Sequence, residues 1–397
     1  MDSKDNIYCG KSTANQDYGA PAYEHDPFES GLVSVIIPVY NRERLIVEAL
    51  ESVRTQTYRP IETLVVDDGS TDDTVSVCQQ VAEQWKADPG LTLRIFEQPH
   101  KGACAARNLG LRESKGEFIQ FLDSDDLLVP DSIEKRLAHM APGIDAVFGD
   151  VGVIRESGRR ELYFEYSDWS PDVDLAYYLR KNIFICCPLH RKETLDQYGA
   201  FDEALSRGQE TELHLRHALA GRRWNHLSAT VFYMRFHGDG DRISGENWVW
   251  KDPFGYLRVH VMMRNYVRDN APEAYTDCFR ATVARLSLLG GRTLIRHGRY
   301  FAARRYFAEA RRTGNGHTLV LANGYGRLGR FVCSHIGIYW GEILRATIVT
   351  PCRGLTSLLR SLLRHRAEPR AHATDRLAVP GERPGRGGDN RVEGQSV

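Results

Sequence analysis

Three aspartates follow an apolar run near the middle of the chain. Residues 118–122 have strand character, and Asp123, Asp125 and Asp126 come directly after them. Ligands of α/β proteins gather beyond the carboxyl ends of the strands, so a site is expected at this point. Carboxylates this close repel one another unless a cation or solvent offsets their charge. A divalent ion with phosphate oxygens as further ligands suits them, although so short a motif is more often a solvated turn that caps the next helix.

Polar residues also end two earlier runs of strand character. The β-branched run Val33–Asn41 ends in polar residues, and the run at residues 61–66 leads into Asp67 and Asp68. Segments with the apolar spacing of a helix separate these runs, and the alternation predicts an α/β fold with a doubly wound, mostly parallel sheet. The polar ends of the strands would then lie side by side along one edge, where such folds bind nucleotides.

The second part of the chain has a different pattern. It predicts paired strands between residues 144 and 164, a helix at 206–219, a strand at 224–236 and helices from 248 to about 313. Gly290 and Gly291 are expected to break the last of these helical stretches.

The composition is that of a globular protein without a membrane span. Apolar residues make up 42% of the 397 residues, charged residues make up 26%, and the formal net charge of +0 argues against nucleic acid as a partner. The eight cysteines form no Cys-x-x-Cys pair or dense framework, so the cytoplasm is the expected location. The N-terminal stretch lacks the apolar core of a signal peptide, and no run of about 18 apolar residues exists.

Five motifs together resemble one protein family. In chain order they are VSVIIPVYN, LVVDDGSTDDT, GACAARNLGL, GEFIQFLDSDD and GQETELHLR. They resemble the family 2 glycosyltransferases, whose GT-A fold joins a Rossmann-like nucleotide-binding half to an acceptor half. The resemblance covers roughly Val33 to Ser244, a little over half of the chain. Together with the composition of the flanking segments, the resemblance predicts a flexible leader over residues 1–30 and a GT-A catalytic domain over 31–246. A C-terminal helical accessory region over 247–330, an amphipathic helical segment over 331–366 and a disordered tail over 367–397 are expected to follow.

The resemblance implies contacts with a nucleotide-sugar donor. Pro38 and Tyr40 match the strand end that lies along the uracil or ribose, and Asp68 matches the carboxylate that pairs with the base edge. An acid that accepts the uracil N–H makes a charge-assisted hydrogen bond. Arg107 matches a position that faces the nucleotide or supports the loop around it. A plain turn with a helix cap is the alternative interpretation of residues 67–70.

The same resemblance places Mn²⁺ or Mg²⁺ at the acidic motif. Asp125 matches the direct metal ligand, Asp123 matches a contact to ribose or to the metal shell, and Asp126 is interpreted as a helix-capping acid. Further along the chain, His237 could complete the metal shell and Arg242 could hold a phosphate oxygen. A lone histidine is more often structural, and that alternative stays open for His237.

The resemblance places the general base at the start of the helix GQETELHLR. The family usually has Glu-Asp at this point, whereas this chain has Gln209 and Glu210, so Glu210 matches the acid that deprotonates the acceptor hydroxyl. The difference keeps the acid with one more methylene of reach and leaves the acceptor geometry open. Glu212 lies two residues on, and it is interpreted as solvated or salt-bridged.

These matches predict an enzyme that transfers a hexosyl or N-acetylhexosaminyl group with inversion. The expected donor is a UDP-sugar, and the expected acceptor is a hydroxyl of a glycan or a lipid-linked molecule in cell-surface polysaccharide or glycoconjugate biosynthesis. The alternative is a catalytically inactive subunit of the same fold that binds nucleotide-sugar or glycan. A nucleotidyltransferase is not supported, because no Gly-, Arg- or Lys-rich triphosphate loop follows the first strand. Without transmembrane helices, residues 222–224 (Arg-Arg-Trp) are expected to enter a strand rather than to mark a processive synthase.

Leucines and arginines alternate between Arg353 and Arg366 in a basic amphipathic pattern. Such a helix could lie on the anionic inner face of a membrane, where lipid-linked acceptors reside. A helix packed on the domain with a solvated basic face is the better supported alternative. Peripheral membrane association and oligomer formation are therefore left open.

Overall fold

Parallel strands form the first half of the sheet. The computed structural model describes residues 28–235, 250 and 252–314. Strands β1 (Glu29–Val39), β2 (Ile61–Asp67), β3 (Leu91–Glu97) and β4 (Gly116–Phe121) lie in the spatial order β3-β2-β1-β4. Helices α1 (Leu45–Arg54), α2 (Thr74–Trp85) and α3 (Ala103–Glu113) connect them. This part confirms the predicted doubly wound α/β arrangement, in which β1, β2 and β4 are mostly apolar and buried, whereas the edge strand β3 is partly exposed.

The second half of the sheet mixes strand directions. Its strands are β5 (Leu127–Leu128), β6 (Ala146–Ile154), β7 (Arg160–Phe164), β8 (Leu189–Arg191) and β9 (Trp224–Arg235). Strand β8 is antiparallel to both β4 and β6, β9 is parallel to β6, and β5 is antiparallel to β9. The predicted pair of strands between residues 144 and 164 forms as the β6-β7 hairpin. Trp224 begins β9, as expected for a strand entry.

Short helices accompany these strands. They are α4 (Ser132–Ala138), α5 (Leu175–Arg180), α6 (Lys192–Tyr198) and α7 (Gln209–Leu219). The last of them carries the predicted base, and it begins three residues after the start of the predicted helix at 206–219.

The strand register brings the polar strand ends to one edge. Val39 of β1 lies beside Asp67 of β2, and Ile36 of β1 lies beside Phe121 of β4. The backbone N–H of Asp68 donates to the carbonyl of Val39 at 2.8 Å, which continues the pairing past the end of the strand. The residues that follow β1, β2 and β4 therefore emerge side by side, as the sequence predicted.

The described residues end in a group of helices. They are α8 (Gly255–Asn270), a 3₁₀ turn (Pro272–Ala274), α9 (Asp277–Arg296) and α10 (Tyr300–Thr313). The predicted break at Gly290 and Gly291 is wrong, because α9 runs through both residues without interruption. A Cβ atom on either glycine would lie 2.5 Å from an aromatic ring of α10. The glycines therefore serve the close packing of α9 against α10.

Helix α8 packs against the start of α7. Gly208 precedes α7 with a φ of 63°, and a Cβ atom there would lie 3.1 Å from Val259 of α8. The Ser206 hydroxyl donates to Asp252 at 2.6 Å, and the N–H of Leu257 donates to the hydroxyl oxygen of Tyr306 at 3.1 Å. The helical region is thus attached to the segment that leads into α7.

Several predicted segments lie outside the described residues. These are the leader up to residue 27, the amphipathic segment over 331–366 and the tail over 367–397, and the domain limits stay predictions. Within the described residues, no helix combines the length and the apolar character that a membrane span requires.

Candidate functional site

Arg107 joins the two halves of the candidate site. Its Nη2 donates to Asp123 Oδ1 at 2.6 Å and its Nη1 donates to Gln209 Oε1 at 3.0 Å. Burial works against the charge of this guanidinium, but the adjacent Asp123 carboxylate more than offsets burial and raises the pKa of Arg107. A permanently charged side chain thus connects the end of β4 to the residue next to Glu210.

Close packing of α3 brings Arg107 to this position. Small residues line the helix, and a Cβ atom on Gly110 would collide with Ile36 of β1. The neighbouring Asn108 holds Phe201 from both sides: its Nδ2 donates to the Phe201 carbonyl at 2.9 Å, and its Oδ1 accepts from the Phe201 N–H at 3.0 Å. The guanidinium of Arg107 lies over the Phe201 ring, 5.4 Å from its centroid. Both Arg107 and Asn108 therefore support the segment that leads to α7.

Asp68 holds the loop between β3 and α3. Its Oδ1 accepts from Gln98 Nε2 at 2.7 Å and from the N–H of Lys101 at 2.8 Å. Its Oδ2 accepts from the N–H of Gly102 at 2.8 Å and lies 2.9 Å from His100 Nδ1. Both carboxylate oxygens thus have two close polar neighbours. The structure gives Asp68 a loop-ordering role, and its contact with the base edge stays a prediction.

Tyr40 and His100 form a ring pair at the edge of the sheet. Their ring centroids are 4.3 Å apart, and Tyr40 is 41% exposed. Pro38 lies buried in β1, two residues before Tyr40. The exposed ring surface, and not the proline, is therefore the part of this strand end that a planar ligand could contact.

The carboxylates after β4 form a compact group with a cysteine. Ligand atoms of Asp123, Asp126 and Cys186 lie within 4.8 Å of one another. The interpretation of Asp126 as a helix-capping acid is wrong. Helix α4 starts after Asp131, and the Oδ1 of the buried Asp126 accepts from the N–H of Arg235 at 3.1 Å. Asp125 is half-buried and does not belong to this group, so its role as a metal ligand stays a prediction.

The oxygen donors of this group fit a hard divalent cation. Asp123 has one oxygen on Arg107, and Asp126 has one on a backbone N–H, so each carboxylate is already oriented. Burial raises the pKa of Cys186 well above its ordinary value, which keeps it a protonated thiol. A thiol is a poor ligand for Mg²⁺ or Mn²⁺, whereas carboxylates suit both ions. The group therefore fits such an ion through its aspartates alone.

Glu210 lies in the first turn of α7. It is half-buried, and its Oε1 accepts from Asn182 Nδ2 at 3.0 Å. The side chain of Asn182 also accepts from the hydroxyl of Thr211 at 3.1 Å through Oδ1, which fixes the orientation of the amide. This single amide donor orients the Glu210 carboxylate without neutralising it. A carboxylate held in this way can accept a proton from a hydroxyl.

A segment that the sequence did not indicate joins Glu210 to the acidic group. It runs from Asn182, which binds Glu210, to Cys186, whose Sγ lies 3.3 Å from the N–H of Asp123 and 3.8 Å from Asp126 Oδ2. Neither residue has a motif or a spacing that marks it, because its partners are far away in the sequence. The adjacent cysteines at 186 and 187 were the one available signal.

The remaining predicted residues fall into two groups. Glu212 is buried and pairs with Arg216 at 2.8 Å, which confirms its interpretation as a salt-bridged residue. His237 and Arg242 lie outside the described residues. The described strand before them ends at Arg235, whose guanidinium donates to Glu48 of α1 at 2.6 Å.

Sequence comparison identifies a family for part of the chain. Residues 34–195 match a sequence model described as "Glycosyl transferase family 2". An uncharacterized glycosyltransferase of Rickettsia bellii is 41% identical over 250 residues, which cover 60% of this chain and 33% of that protein. An uncharacterized glycosyltransferase of Rickettsia felis is 47% identical over 108 residues, which cover 27% of this chain and 17% of that protein. The chain spans between 17% and 42% of the length of the first three relatives.

Comparison with solved structures finds proteins that share the fold of this chain. The crystal structure of TarS from S. aureus has a TM-score of 0.56 and 19% identity, covering 80% of this chain and 54% of that protein. A structure of residues 1–349 of TarS has a TM-score of 0.55 and 20% identity, covering 75% of this chain and 88% of that chain. At this identity the likeness establishes the fold alone.

Proposed function

We propose that this chain, whose residues 34–195 match the family 2 glycosyltransferases and whose fold is the GT-A fold, transfers a sugar from a nucleoside diphosphate to an acceptor hydroxyl. One observation carries the proposal. The Arg107 guanidinium bonds to Asp123, at the end of the donor-side strand, and to Gln209, the neighbour of the candidate base. A donor and an acceptor bound on either side of Arg107 would meet at one place.

We assign the nucleoside to the edge formed by Tyr40 and His100. Their rings lie 4.3 Å apart at a tilt of 36° and leave aromatic surface exposed, and the loop that Asp68 holds lies beside them. Asp68 then acts on the base through the loop, or directly after exchanging one of its present partners. UDP is the expected nucleotide, and the sugar is a hexosyl or N-acetylhexosaminyl group.

We assign the proton transfer to Glu210. The acceptor oxygen attacks the anomeric carbon from the face opposite the diphosphate, its proton passes to the Glu210 carboxylate, and the bond to the diphosphate breaks. This order of events inverts the anomeric configuration. Asn182 holds the carboxylate in place during the transfer. General base catalysis of this kind typically contributes about 10²–10⁴-fold to the rate.

The diphosphate leaves beside Asp123 and Arg107. The guanidinium provides fixed positive charge at this point, and it needs no reorganisation as the leaving group forms. A divalent ion held by Asp123 and Asp126, with the predicted ligand Asp125, would supply further neutralisation of the departing charge. His237 and Arg242 stay proposed contacts to the ion and to the diphosphate.

The alternative is a subunit that binds nucleotide-sugar or glycan without turnover. The arrangement of Glu210 argues against it, because a binding role does not require an oriented carboxylate next to Gln209, which Arg107 links to Asp123. The proposed acceptor is a glycan or a lipid-linked molecule of a cell-surface polysaccharide or glycoconjugate.

A donor screen with matched variants tests the proposal. The full chain is incubated with UDP- and GDP-sugars and Mn²⁺, and released nucleoside diphosphate is measured with and without candidate acceptors. We expect Glu210→Gln to lower turnover by about 10²-fold or more while nucleotide binding is kept. Glu156→Gln, on the exposed β6-β7 turn, is the control and should behave as wild type.

Two outcomes would contradict the proposal. Wild-type turnover in Glu210→Gln would remove the base from the mechanism. Tight donor binding by the wild type without release of product from any donor would favour the inactive binding subunit. Chelation with EDTA and restoration with Mn²⁺ in the same assay test the metal.

A further inference from the structure

The pair of C-terminal helices α9 and α10 is strongly basic. Residues 277–314 contain nine arginines and two acidic residues, Asp277 and Glu309, so their formal net charge is +7 (nine minus two). The whole chain has a formal net charge of +0. One of the two acids is not available at the surface, because Glu309 is buried and pairs with Arg264 of α8. Positive charge is thus concentrated on one part of the molecule.

The outer side of α10 combines this charge with exposed aromatic rings. Phe301 is 59% exposed, more than any other large hydrophobic side chain in the described residues. Arg304 and Arg305 follow at helical spacing, and the guanidinium of Arg305 lies 5.9 Å from the centroid of the Phe301 ring. Trp250 is 47% exposed, with the guanidinium of Arg299 5.3 Å from its ring centroid. These five residues are called the aromatic–basic face below.

The composition of this face selects the kind of partner. A solvated helix face gains nothing from an exposed phenylalanine, whereas aromatic rings beside arginines are typical of surfaces that enter the headgroup region of a bilayer. The arginine stems can cover apolar surface while the guanidinium groups reach phosphate oxygens. Two copies of this face are poor partners for each other, because a symmetric contact would place three arginines against three.

We propose that the aromatic–basic face binds the surface of an anionic lipid bilayer. Phe301 and Trp250 enter the headgroup region, and Arg299, Arg304 and Arg305 contact lipid phosphates. Attraction of this kind is worth roughly 1 kcal/mol for each arginine near an anionic surface, which is about fivefold in affinity, and it weakens with salt. The proposal differs from the membrane contact that the sequence suggests for residues 353–366, which lie outside the described part of the chain.

The packing connects this face to the candidate active site. Tyr306 of α10 accepts from the N–H of Leu257 at the start of α8, and Val259 of α8 packs against Gly208 before α7. A bilayer bound to α10 would therefore hold the helix that carries Glu210 at a fixed position relative to the membrane. This consequence rests on the proposed function and suits a lipid-linked acceptor, whereas the docking itself does not depend on activity.

Vesicle binding of the full chain tests the proposal. Co-sedimentation is measured with vesicles of phosphatidylcholine alone and with vesicles that also contain about 30% phosphatidylglycerol, at low and at high salt. We expect binding to the anionic vesicles only, and release by salt. The variant R299E/R304E/R305E should bind at least about tenfold more weakly, because three attractive charges become repulsive.

A control variant separates the face from the total charge. K86E/K135E/R159E makes the same change in net charge at three exposed positions elsewhere, and it should bind nearly as well as wild type. F301S should also weaken binding, although it leaves the charge unchanged. Thermal unfolding of each variant shows that the fold is kept, and donor hydrolysis, which these positions do not touch, should be unchanged.

The outcomes are distinguishable. Equal binding of wild type and R299E/R304E/R305E, or wild-type binding by F301S, would overturn the assignment to lipid. Binding to heparin but not to anionic vesicles would assign the face to a soluble polyanion instead. A dimer in sedimentation velocity that F301S dissociates would assign the face to self-association. Loss of donor hydrolysis in Glu210→Gln without any change in vesicle binding would leave the docking intact.

Discussion

The two halves of the sheet bury their polar side chains in different ways. At the ends of the parallel strands, the carboxylate of Asp68 accepts from two backbone N–H groups, and Asp123 pairs with Arg107. Between β8 and α7, the imidazoles of His190 and His214 are buried, and neither ring nitrogen of either residue has a hydrogen-bond partner among the described residues. The first half therefore contains paired charges, whereas the imidazoles of His190 and His214 in the second half must be neutral.

The surroundings of the buried histidines explain why their rings are neutral. Burial lowers the pKa of His190 to about 3, and the nearby Arg136 acts in the same direction. Burial also lowers the pKa values of His214 and His217 well below their ordinary value, with Arg216 adding to the effect. A proton on any of these rings would add charge beside existing cations. The edge with Asp68 and Asp123 thus holds paired charges, whereas the histidines beneath α7 lie beside cations and are kept neutral.

Acidification should therefore destabilise the second half of the sheet first. This loss of stability is the largest effect that we predict. An unfolded histidine has a pKa near 6.5, above the folded value, so the unfolded chain takes up protons first and stability falls as the pH drops below about 6.5. Three buried histidines should lower the free energy of unfolding by about 5 kcal/mol between pH 7 and pH 5. Urea titrations at a series of pH values measure this loss.

Two variants test whether the buried histidines cause this loss of stability. His214→Phe removes one proton site and should reduce the loss between pH 7 and pH 5 by about a third. His139→Gln, on the exposed end of α4, should keep the full loss. A loss of wild-type size in His214→Phe would show that these rings are not responsible.

Arg107→Met should have the next largest effect, because it breaks the ion pair with Asp123 at the end of β4. The change leaves Asp123 without its partner and removes the link to Gln209. Breaking a buried ion pair costs about 3–5 kcal/mol, but the side chain of Asp123 is 36% exposed, so we expect about 2 kcal/mol and near-complete loss of turnover. Chemical denaturation measures the stability. Arg54→Met, which breaks an exposed pair with Glu51, is the control, and an equal loss in both variants would remove the special role of Arg107.

Asp68→Asn should have the smallest effect. An amide keeps one acceptor oxygen, so one of the N–H groups of Lys101 and Gly102 loses its partner, at a cost of about 1 kcal/mol. Hydrogen exchange at the amide that loses its partner should speed up, while Asp88→Asn should leave the rates of both amides unchanged. Unchanged rates in Asp68→Asn would mean that the loop orders itself without the carboxylate.

The first half of the site could be predicted from the sequence because its signals are local. Strand β2 extends the predicted run at residues 61–66 by one residue to Asp67. Periodicity places such strands, and a parallel sheet then brings their carboxyl ends together. The sequence also predicts Arg107 and Glu210, because each lies inside a motif that resembles the family's. Local patterns thus predict the sheet edge with Asp68 and the helix that carries Glu210.

The rest depends on contacts between distant parts of the chain. Asp126 appeared to be a helix cap by its position, but its partner Arg235 is 109 residues away. Asn182 carries no local signal, Cys186 has only the adjacent Cys187, and the histidines beneath α7 carry none. Gly290 and Gly291 have the local pattern of a helix break, yet the aromatic rings of α10 determine their role. Tertiary packing overrides the local preference in each case.

The contact between Gly208 and Val259 also governs how the protein comes apart. Because α8 presses on the residue before α7, the helical region cannot separate without uncovering the start of the helix that carries Glu210. We therefore expect the opening of one to open the other, so that the two form a single cooperative unit of local unfolding. Residues 252–314 are, in this sense, a structural member of the half that carries α7 and not an appendage to it.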